Sequence, residues 1–240
     1  MTGPSSYLVC ATPRTGSTLL CSFLASTGVA GRPESYFREP DRRLWAERFG
    51  VPVDDDGSHD FAAFVAGAVR SGTSANGVFA ARIMWGTLPS LLAGLAEATE
   101  GRPDVETLEG AFGPLRFVHL QRRDVVAQAV SWARAEQSAY WHPGDVAQGE
   151  PRFDIDQIDR LVATIGAHNA AWSSWFDREG VVPLRIDYEQ VTGEPREAVG
   201  SVLRWIGSSM PASWVPESRQ RRQADLLNAD WTTRYLAARA

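Results

Sequence analysis

The chain has 240 residues, of which 44% are hydrophobic and 22% charged, and its net charge is −5 at pH 7. This length can bury one large core, so we expect a single domain over residues 1–240. An acidic chain lacks the basic face that nucleic acids require, and we expect no nucleic-acid partner. All 24 lysine-or-arginine residues are arginine. The absence of lysine excludes mechanisms that depend on a lysine.

The sequence also limits location and metal binding. No apolar run approaches the roughly 18 residues of a membrane span, and the first residues lack the regions of a secretion signal. We therefore expect no transmembrane segment and a cytoplasmic location. Cys10 and Cys21 lie in apolar-patterned segments, which predicts buried free thiols. Spacings of cysteine and histidine typical of metal ligands are absent, so no metal is expected.

Short apolar runs typical of strands alternate with helical patterns along the chain. Strands are predicted at residues 7–11, 77–85, 115–121 and 181–187. Helices are predicted around residues 19–24, 41–49, 60–69, 88–98, 124–140, 155–176, 196–206 and 228–238. The alternation indicates an α/β protein, a three-layer α/β/α domain with a central parallel sheet. Ligands bind beyond the carboxyl ends of such strands, so the loops at Arg14, Trp85 and Arg122 should face one crevice.

The first strand runs into a turn with a proline and a glycine, and the turn opens the first helix. Unpaired backbone N–H groups converge at such a helix N-terminus and favour an anion. Arg14 adds a permanent cation suited to phosphate or sulfate oxygens. Thr15, Ser17 and Thr18 supply hydroxyl donors, and Gly16 lets the backbone approach the ligand closely. The turn therefore predicts a phosphate-binding loop.

The loop differs from that of the ATP- and GTP-hydrolysing enzymes, which reads GxxxxGK[ST]. When Gly16 is aligned with the second glycine of that motif, Ala11 replaces the first glycine and Ser17 replaces the lysine. A neutral hydroxyl cannot replace the charge, and the cation is instead Arg14, two positions before the glycine. This change disfavours an ATP-dependent small-molecule kinase, which stays open as an alternative.

With its cation in this position, the loop resembles that of the PAPS-dependent sulfotransferases. These enzymes use 3′-phosphoadenosine 5′-phosphosulfate (PAPS) as sulfuryl donor. The sequence PRTGST at residues 13–18 is similar to the arginine form of that loop. RRDVVAQAVS at residues 122–131 resembles a second element of the family. There the resemblance implies that Arg122 and Ser131 bind the 3′-phosphate of the donor. Without the resemblance, the segment also fits a helix capped by Asp124 with Arg122 in a surface ion pair.

Five segments in matching order resemble the bacterial trehalose 2-sulfotransferase branch of this family. They are YLVCATPRTGSTLL, TGVAGRPESYF, RIMW, RRDVVAQAVSW and ESRQRRQAD, at residues 7–20, 27–37, 82–85, 122–132 and 217–225. The resemblance implies a P-loop-like sulfotransferase fold and sulfuryl transfer from PAPS to a hydroxyl of a small-molecule, carbohydrate or glycolipid acceptor, with release of PAP (3′-phosphoadenosine 5′-phosphate). It also implies a homodimer and a phosphate contact from Arg222.

The chain departs from this branch at the position of the general base. The branch has a glutamate directly before two aromatic residues, and alignment of its aromatics with Tyr36 and Phe37 places Ser35 there. A serine without a partner cannot take the acceptor proton at neutral pH. We therefore predict Glu34 as the base. Glu39 is the next candidate for the base and is also predicted to bind the acceptor. A relative that binds PAP or PAPS without catalysis is the alternative that this change leaves open.

Two residues at the end of the second predicted strand complete the candidate site. Arg82 stands where the branch has a lysine, and the resemblance implies contact with the acceptor or the sulfonate. Trp85 is predicted to bind the acceptor, with packing in the core as the alternative. His119 lies inside the third strand, which indicates a hydrogen-bonded core histidine rather than a base.

Overall fold

The computed structural model of the chain describes residues 6–96, 102–141, 148–216 and 226–239. Its strands are β1 (Ser6–Ala11), β2 (Ala80–Met84), β3 (Leu115–Gln121) and β4 (Leu184–Asp187). They form one parallel sheet in the order β2-β1-β3-β4. The residues of β1 and β2 are nearly all buried, as expected for parallel strands that helices cover on both faces.

Helices connect the strands and cover the sheet. In the described residues they are α1 (Ser17–Ser26), α2 (Arg42–Phe49), α3 (Phe61–Gly72), α4 (Leu88–Ala96), α5 (Asp104–Phe112), α6 (Val125–Ser138), α7 (Ile155–Arg178), α8 (Tyr188–Gly193), α9 (Pro195–Trp205) and α10 (Leu226–Arg239). Two short 3-10 helices lie at Glu39–Asp41 and Trp85–Thr87. Among the described residues, every helix is too short or too polar to cross a lipid bilayer.

Side chains of β1 alternate between two apolar clusters on opposite faces of the sheet. Tyr7, Val9 and Ala11 pack with residues of α1 and α9. Leu8 and Cys10 pack with residues of α3 and α7. A third cluster joins α6, α7 and α10. The sheet therefore lies between two helical layers, and the predicted three-layer α/β/α fold is confirmed.

The register of the sheet brings the loops of the candidate site to one edge. Ala11 pairs with Met84, and Gln121 pairs with Asp187. Because all pairs are parallel, the carboxyl ends of the four strands lie side by side. The loops that follow β1, β2 and β3 consequently open on the same edge, as the alternating pattern predicts.

Two helices of the structure, α5 and α8, were not predicted from the sequence. Pro103 precedes α5 and Gly110 lies within it, and both residues are signals of turns rather than helices. The helix α8 has only six residues and directly follows β4, where the backbone N–H of Asp187 donates to Gln190 Oε1 at 2.8 Å. So short a helix gives no periodic pattern to detect.

The two cysteines of the chain are free and buried, as their apolar surroundings predict. Burial raises the pKa of the Cys10 thiol well above its ordinary value. Neither thiol therefore has the properties of a nucleophile at neutral pH.

Candidate active site

The loop between β1 and α1 turns sharply because two of its residues have left-handed backbone conformations. Arg14 has φ of +63° and Gly16 has φ of +82°. A Cβ atom on Gly16 would lie 2.4 Å from Cδ2 of Tyr188, so only glycine fits here. The Thr15 hydroxyl donates to the Thr12 carbonyl at 3.0 Å and closes the turn. The N-terminus of α1 therefore lies at the edge of the sheet. The first N–H groups of α1 have no acceptors within the helix.

Arg14 connects this loop to α6. Its Nε donates to Ser131 Oγ at 3.0 Å, and its Nη1 donates to the Trp141 carbonyl at 2.9 Å. Burial lowers the pKa of Arg14, and the positive charges of Arg122 and Arg134 lower it further. Three arginines and Ser131 therefore share one region, and they include members of both predicted donor-binding segments.

Among the described residues Arg122 forms no ion pair, unlike the alternative left open by the sequence, while its neighbour Arg123 pairs with Asp187 and Glu189. The Arg122 guanidinium instead lies 4.6 Å from the ring centroid of Tyr188. Its Nε is buried and has no hydrogen-bond partner among the described residues. A buried cationic donor without an acceptor is costly, so this position favours an anionic ligand.

Gln128, Arg134 and Tyr188 belong to the site but were missed in the sequence. Gln128 is fully buried, and its Nε2 donates to Thr12 Oγ1 at 2.8 Å and to the Pro13 carbonyl at 2.7 Å. It thereby ties the loop to α6. The available signal for Gln128 was a glutamine within an apolar helix pattern. Tyr188 gave no signal in the sequence, because α8 was not predicted.

Arg82 lies against the phosphate-binding loop rather than apart from it. Its Nη1 donates to Thr18 Oγ1 at 2.6 Å and to Ser17 Oγ at 3.4 Å. Its Nε donates to Ser35 Oγ at 2.8 Å. The residue is only 8% exposed. The structure therefore brings Arg82, the loop hydroxyls and Ser35 together.

Glu34 is joined to β2 through its backbone. Its carbonyl accepts a hydrogen bond from the Arg82 N–H at 3.0 Å, and it forms a parallel bridge with Ala81. Burial raises the pKa of the Cys21 thiol to about 12, while the nearby charge of Arg82 lowers it and that of Glu34 raises it. The charges of Arg82 and Glu34 therefore lie near Cys21 of α1. The side chain of Glu34 is exposed, and Glu34 stays a candidate base.

Glu39 lies in the 3-10 helix Glu39–Asp41 and forms an ion pair with Arg42 at 2.8 Å. Its side chain is 62% exposed. Among the described residues, no hydrogen bond or ion pair joins Glu39 to the loop. Its predicted role at the acceptor site stays a prediction.

Trp85 packs at the carboxyl end of the sheet. Its ring contacts that of Trp172 edge-on with centroids 5.1 Å apart, and Trp172 Nε1 donates to the Ala11 carbonyl at 3.1 Å. The Trp85 ring is partly exposed, so it combines packing with a surface at the crevice. Arg222, the remaining predicted phosphate ligand, lies outside the described residues.

His119 is fully buried inside the sheet. Burial and the neighbouring Arg185 lower its pKa to about 4, and its Nδ1 lies 3.1 Å from Arg185 Nη1. It is a core histidine, in agreement with its position in a strand. In the part of the chain that the structure describes, no group of three or more histidine, cysteine, aspartate or glutamate side chains is arranged to hold a metal ion.

Comparison with known proteins gives matches along nearly the whole chain. The family described as Stf0 sulphotransferase matches residues 6–238. Trehalose 2-sulfotransferase of Mycolicibacterium smegmatis is 30% identical, with 97% of this chain and 94% of that protein covered. The Mycobacterium tuberculosis protein of the same name is 33% identical over 96% of this chain and 94% of its own.

A solved structure supports the fold. The sulfotransferase domain from the curacin biosynthetic pathway superposes with a TM-score of 0.53 at 14% identity. The match covers 95% of this chain and 83% of that one. At such low identity the likeness concerns the fold alone.

Proposed function

Because the chain belongs to the Stf0 sulfotransferase family, we propose that it transfers a sulfuryl group from PAPS to a hydroxyl of a carbohydrate of the trehalose type, releasing PAP. The observation that carries this proposal is the hydrogen bond from Arg14 to Ser131. It unites the phosphate-binding loop with the segment expected to hold a second phosphate. A donor with phosphates on both the 3′ and the 5′ oxygen of its ribose needs such a paired site.

The residues present fit this donor. The N-terminus of α1 and the hydroxyls of Thr15, Ser17 and Thr18 would hold the 5′-phosphosulfate. Arg122, with its buried and unsatisfied Nε, and Ser131 would hold the 3′-phosphate. Selection of PAPS over ATP follows, because ATP has no 3′-phosphate for Arg122. We keep Arg222 as a further proposed phosphate ligand.

The bound donor supplies an activated sulfuryl group. In the transfer, the bond from sulfur to the oxygen of the 5′-phosphate breaks and a bond from sulfur to the acceptor oxygen forms. The acceptor proton passes to a base, for which we propose Glu34. Arg14 and the loop N–H groups stabilise the negative charge that grows on the oxygen released with PAP. In this scheme the positive charge of Arg14 lies beside the oxygen of the leaving group, and no metal ion is used.

Two relatives support the choice of acceptor, since both are named trehalose 2-sulfotransferase and match along nearly their full length. Trehalose is therefore the first acceptor to test, followed by its glycolipids. Trp85, Arg82 and Glu39 would contribute to this side of the site. The proposal also includes a homodimer and a cytoplasmic location, where thiols such as Cys10 and Cys21 stay reduced.

The experiment is incubation of the protein with radiolabelled PAPS and trehalose in a chelator-treated buffer, with separation of the sugar products. We expect labelled trehalose and stoichiometric PAP. A parallel reaction contains labelled ATP and Mg²⁺. Labelled sugar from ATP but none from PAPS would contradict the proposal. Binding of PAP without transfer to trehalose, its glycolipids or a cell extract would support the non-catalytic alternative.

A further inference from the structure

His168 lies on α7 at the edge of the crevice. Trp172, one turn further along α7, donates from Nε1 to the carbonyl of Ala11, the last residue of β1. Trp175 then packs on Phe117 within β3, with ring centroids 5.5 Å apart. The helix α7 therefore runs from the carboxyl edge of the sheet toward the amino ends of the strands. His168 precedes Trp172 by about 6 Å along the helix axis, at 1.5 Å per residue, and thus lies beyond the strand ends.

His168 also lies on the side of α7 that faces the proposed acceptor site. Residues 168, 172 and 175 are spaced by four and three positions, which places them on one stripe of the helix. The Trp172 ring of this stripe contacts the ring of Trp85, and α7 packs against the 3-10 helix Trp85–Thr87 that follows β2. Trp85 is one of the residues proposed to contact the acceptor. The stripe therefore brings His168 to the acceptor side of the crevice.

The two ring nitrogens of His168 have different surroundings. Nδ1 is buried and has no hydrogen-bond partner. Nε2 is not among the buried unsatisfied atoms and has no partner among the described residues, so it is reachable from solvent. Burial lowers the pKa of His168, and the ring is therefore neutral at pH 7 and carries one proton. A proton on Nδ1 would bury an N–H group without an acceptor, which is costly, so we assign the proton to Nε2.

A neutral N–H donor beside an aromatic ring matches an uncharged sugar. Ligand sites combine apolar and aromatic walls with a few polar groups that fix the orientation of the ligand. Trp85 supplies a partly exposed ring, and a sugar offers hydroxyl and ring oxygens that accept hydrogen bonds. We infer that His168 donates a hydrogen bond from Nε2 to an oxygen of the carbohydrate acceptor; this inference rests on the proposed function. Because Nε2 already carries a proton, His168 orients the acceptor and leaves the acceptor proton to the base.

The test is steady-state sulfate transfer from PAPS to trehalose by the wild-type protein and by three variants of His168. Glutamine places its side-chain NH₂ group near the position of Nε2, whereas asparagine places it near Nδ1 and leucine has no donor. His168→Leu and His168→Asn should raise the KM for trehalose roughly 3- to 10-fold, as for loss of a hydrogen bond between neutral groups. His168→Gln should stay near the wild-type value, and the KM for PAPS should be unchanged in all three. Ser174→Ala, at an exposed position of the same helix, is the control and should change neither KM.

Urea unfolding separates this role from a structural one. His168→Leu removes a buried atom that has no partner, so its free energy of unfolding should equal or exceed that of the wild-type protein. A KM for trehalose that stays unchanged in His168→Leu, or that rises together with the KM for PAPS, would overturn the assignment. So would a failure of His168→Gln to do better than His168→Asn. A wild-type protein that transfers no sulfate to trehalose, its glycolipids or a cell extract would instead overturn the proposed function, and the assignment with it.

Discussion

Arg14 Nε lies 3.0 Å from Ser131 Oγ, a contact between residues 117 positions apart in the chain. One belongs to the loop after β1 and the other to the second turn of α6. The contact is possible because β1 and β3 are neighbours in the sheet and their carboxyl ends share an edge. The two segments proposed to bind the donor are therefore joined by the protein itself.

Arg14→Ala should lower the turnover with PAPS roughly 10²- to 10³-fold, by analogy with the loss of a donor that stabilises developing negative charge. The measurement is steady-state sulfate transfer at saturating PAPS. Arg43→Ala is a suitable control, because Arg43 is exposed and pairs with Glu47 within its own helix. Turnover of Arg14→Ala near that of the wild-type protein would show that Arg14 does not act on the leaving group.

Glu34→Gln should lower turnover roughly 10²- to 10⁴-fold if its carboxylate takes the acceptor proton. The affinity for PAP should stay nearly unchanged, since the base acts on the acceptor. Glu39→Gln is the matched comparison, because Glu39 is the next candidate by sequence and pairs with Arg42 in the structure. If Glu39→Gln is inactive and Glu34→Gln is active, the base is Glu39.

Gly16→Ala should destabilise the fold and weaken PAP binding. Left-handed backbone costs an alanine about 1–2 kcal/mol, and its Cβ would also collide with the ring of Tyr188 at 2.4 Å. Gly28→Ala separates these effects, since Gly28 has φ of +71° and no atom of the described residues lies within 4 Å of an added Cβ. In urea unfolding, Gly16→Ala should lose more free energy of unfolding than Gly28→Ala. Equal losses would mean that the contact with Tyr188 is unimportant.

The stability of the fold should depend on pH through His119. Its pKa in the folded state is about 4, below the ordinary value of 6.5. Between these values the unfolded chain binds more protons, so stability is complete above about pH 6.5 and is lost as pH falls toward 4. We expect His119 to account for about 2 kcal/mol of loss between about pH 7 and pH 5. Urea unfolding of the wild-type protein and of His119→Gln at both pH values measures this loss of stability. An equal loss of free energy of unfolding in the two proteins would contradict the role of His119.

Sequence patterns were sufficient to predict the sheet and to place the two segments proposed to bind the donor at one edge of it. Arg14 and Gly16 follow a short apolar strand directly, and Arg122 and Ser131 flank the start of a helix, so each signal is local. The parallel sheet then places both segments at one edge by topology alone. These features could be predicted because no distant contact decides them.

The rest of the site depends on contacts that no local pattern encodes. Tyr188 reaches Gly16 and Arg122 because α8 starts at the end of β4, which lies two strands away from β1 in the sheet. Likewise Ser35 and Arg82 are 47 positions apart, and their hydrogen bond follows from the bridge between Glu34 and β2. The sequence showed an unexpected serine at position 35, and the structure supplies its partner.

We propose that this site binds a nucleotide with phosphates at the 3′ and 5′ positions and uses it for sulfate transfer. The most direct measurement is calorimetric titration with PAP, with 5′-AMP and with ATP in the presence of Mg²⁺, using the wild-type protein and Arg122→Gln. We predict that PAP binds without metal and far more tightly than 5′-AMP, and that Arg122→Gln removes most of this difference. Tighter binding of Mg-ATP than of PAP, or a preference for PAP that survives in Arg122→Gln, would contradict the account.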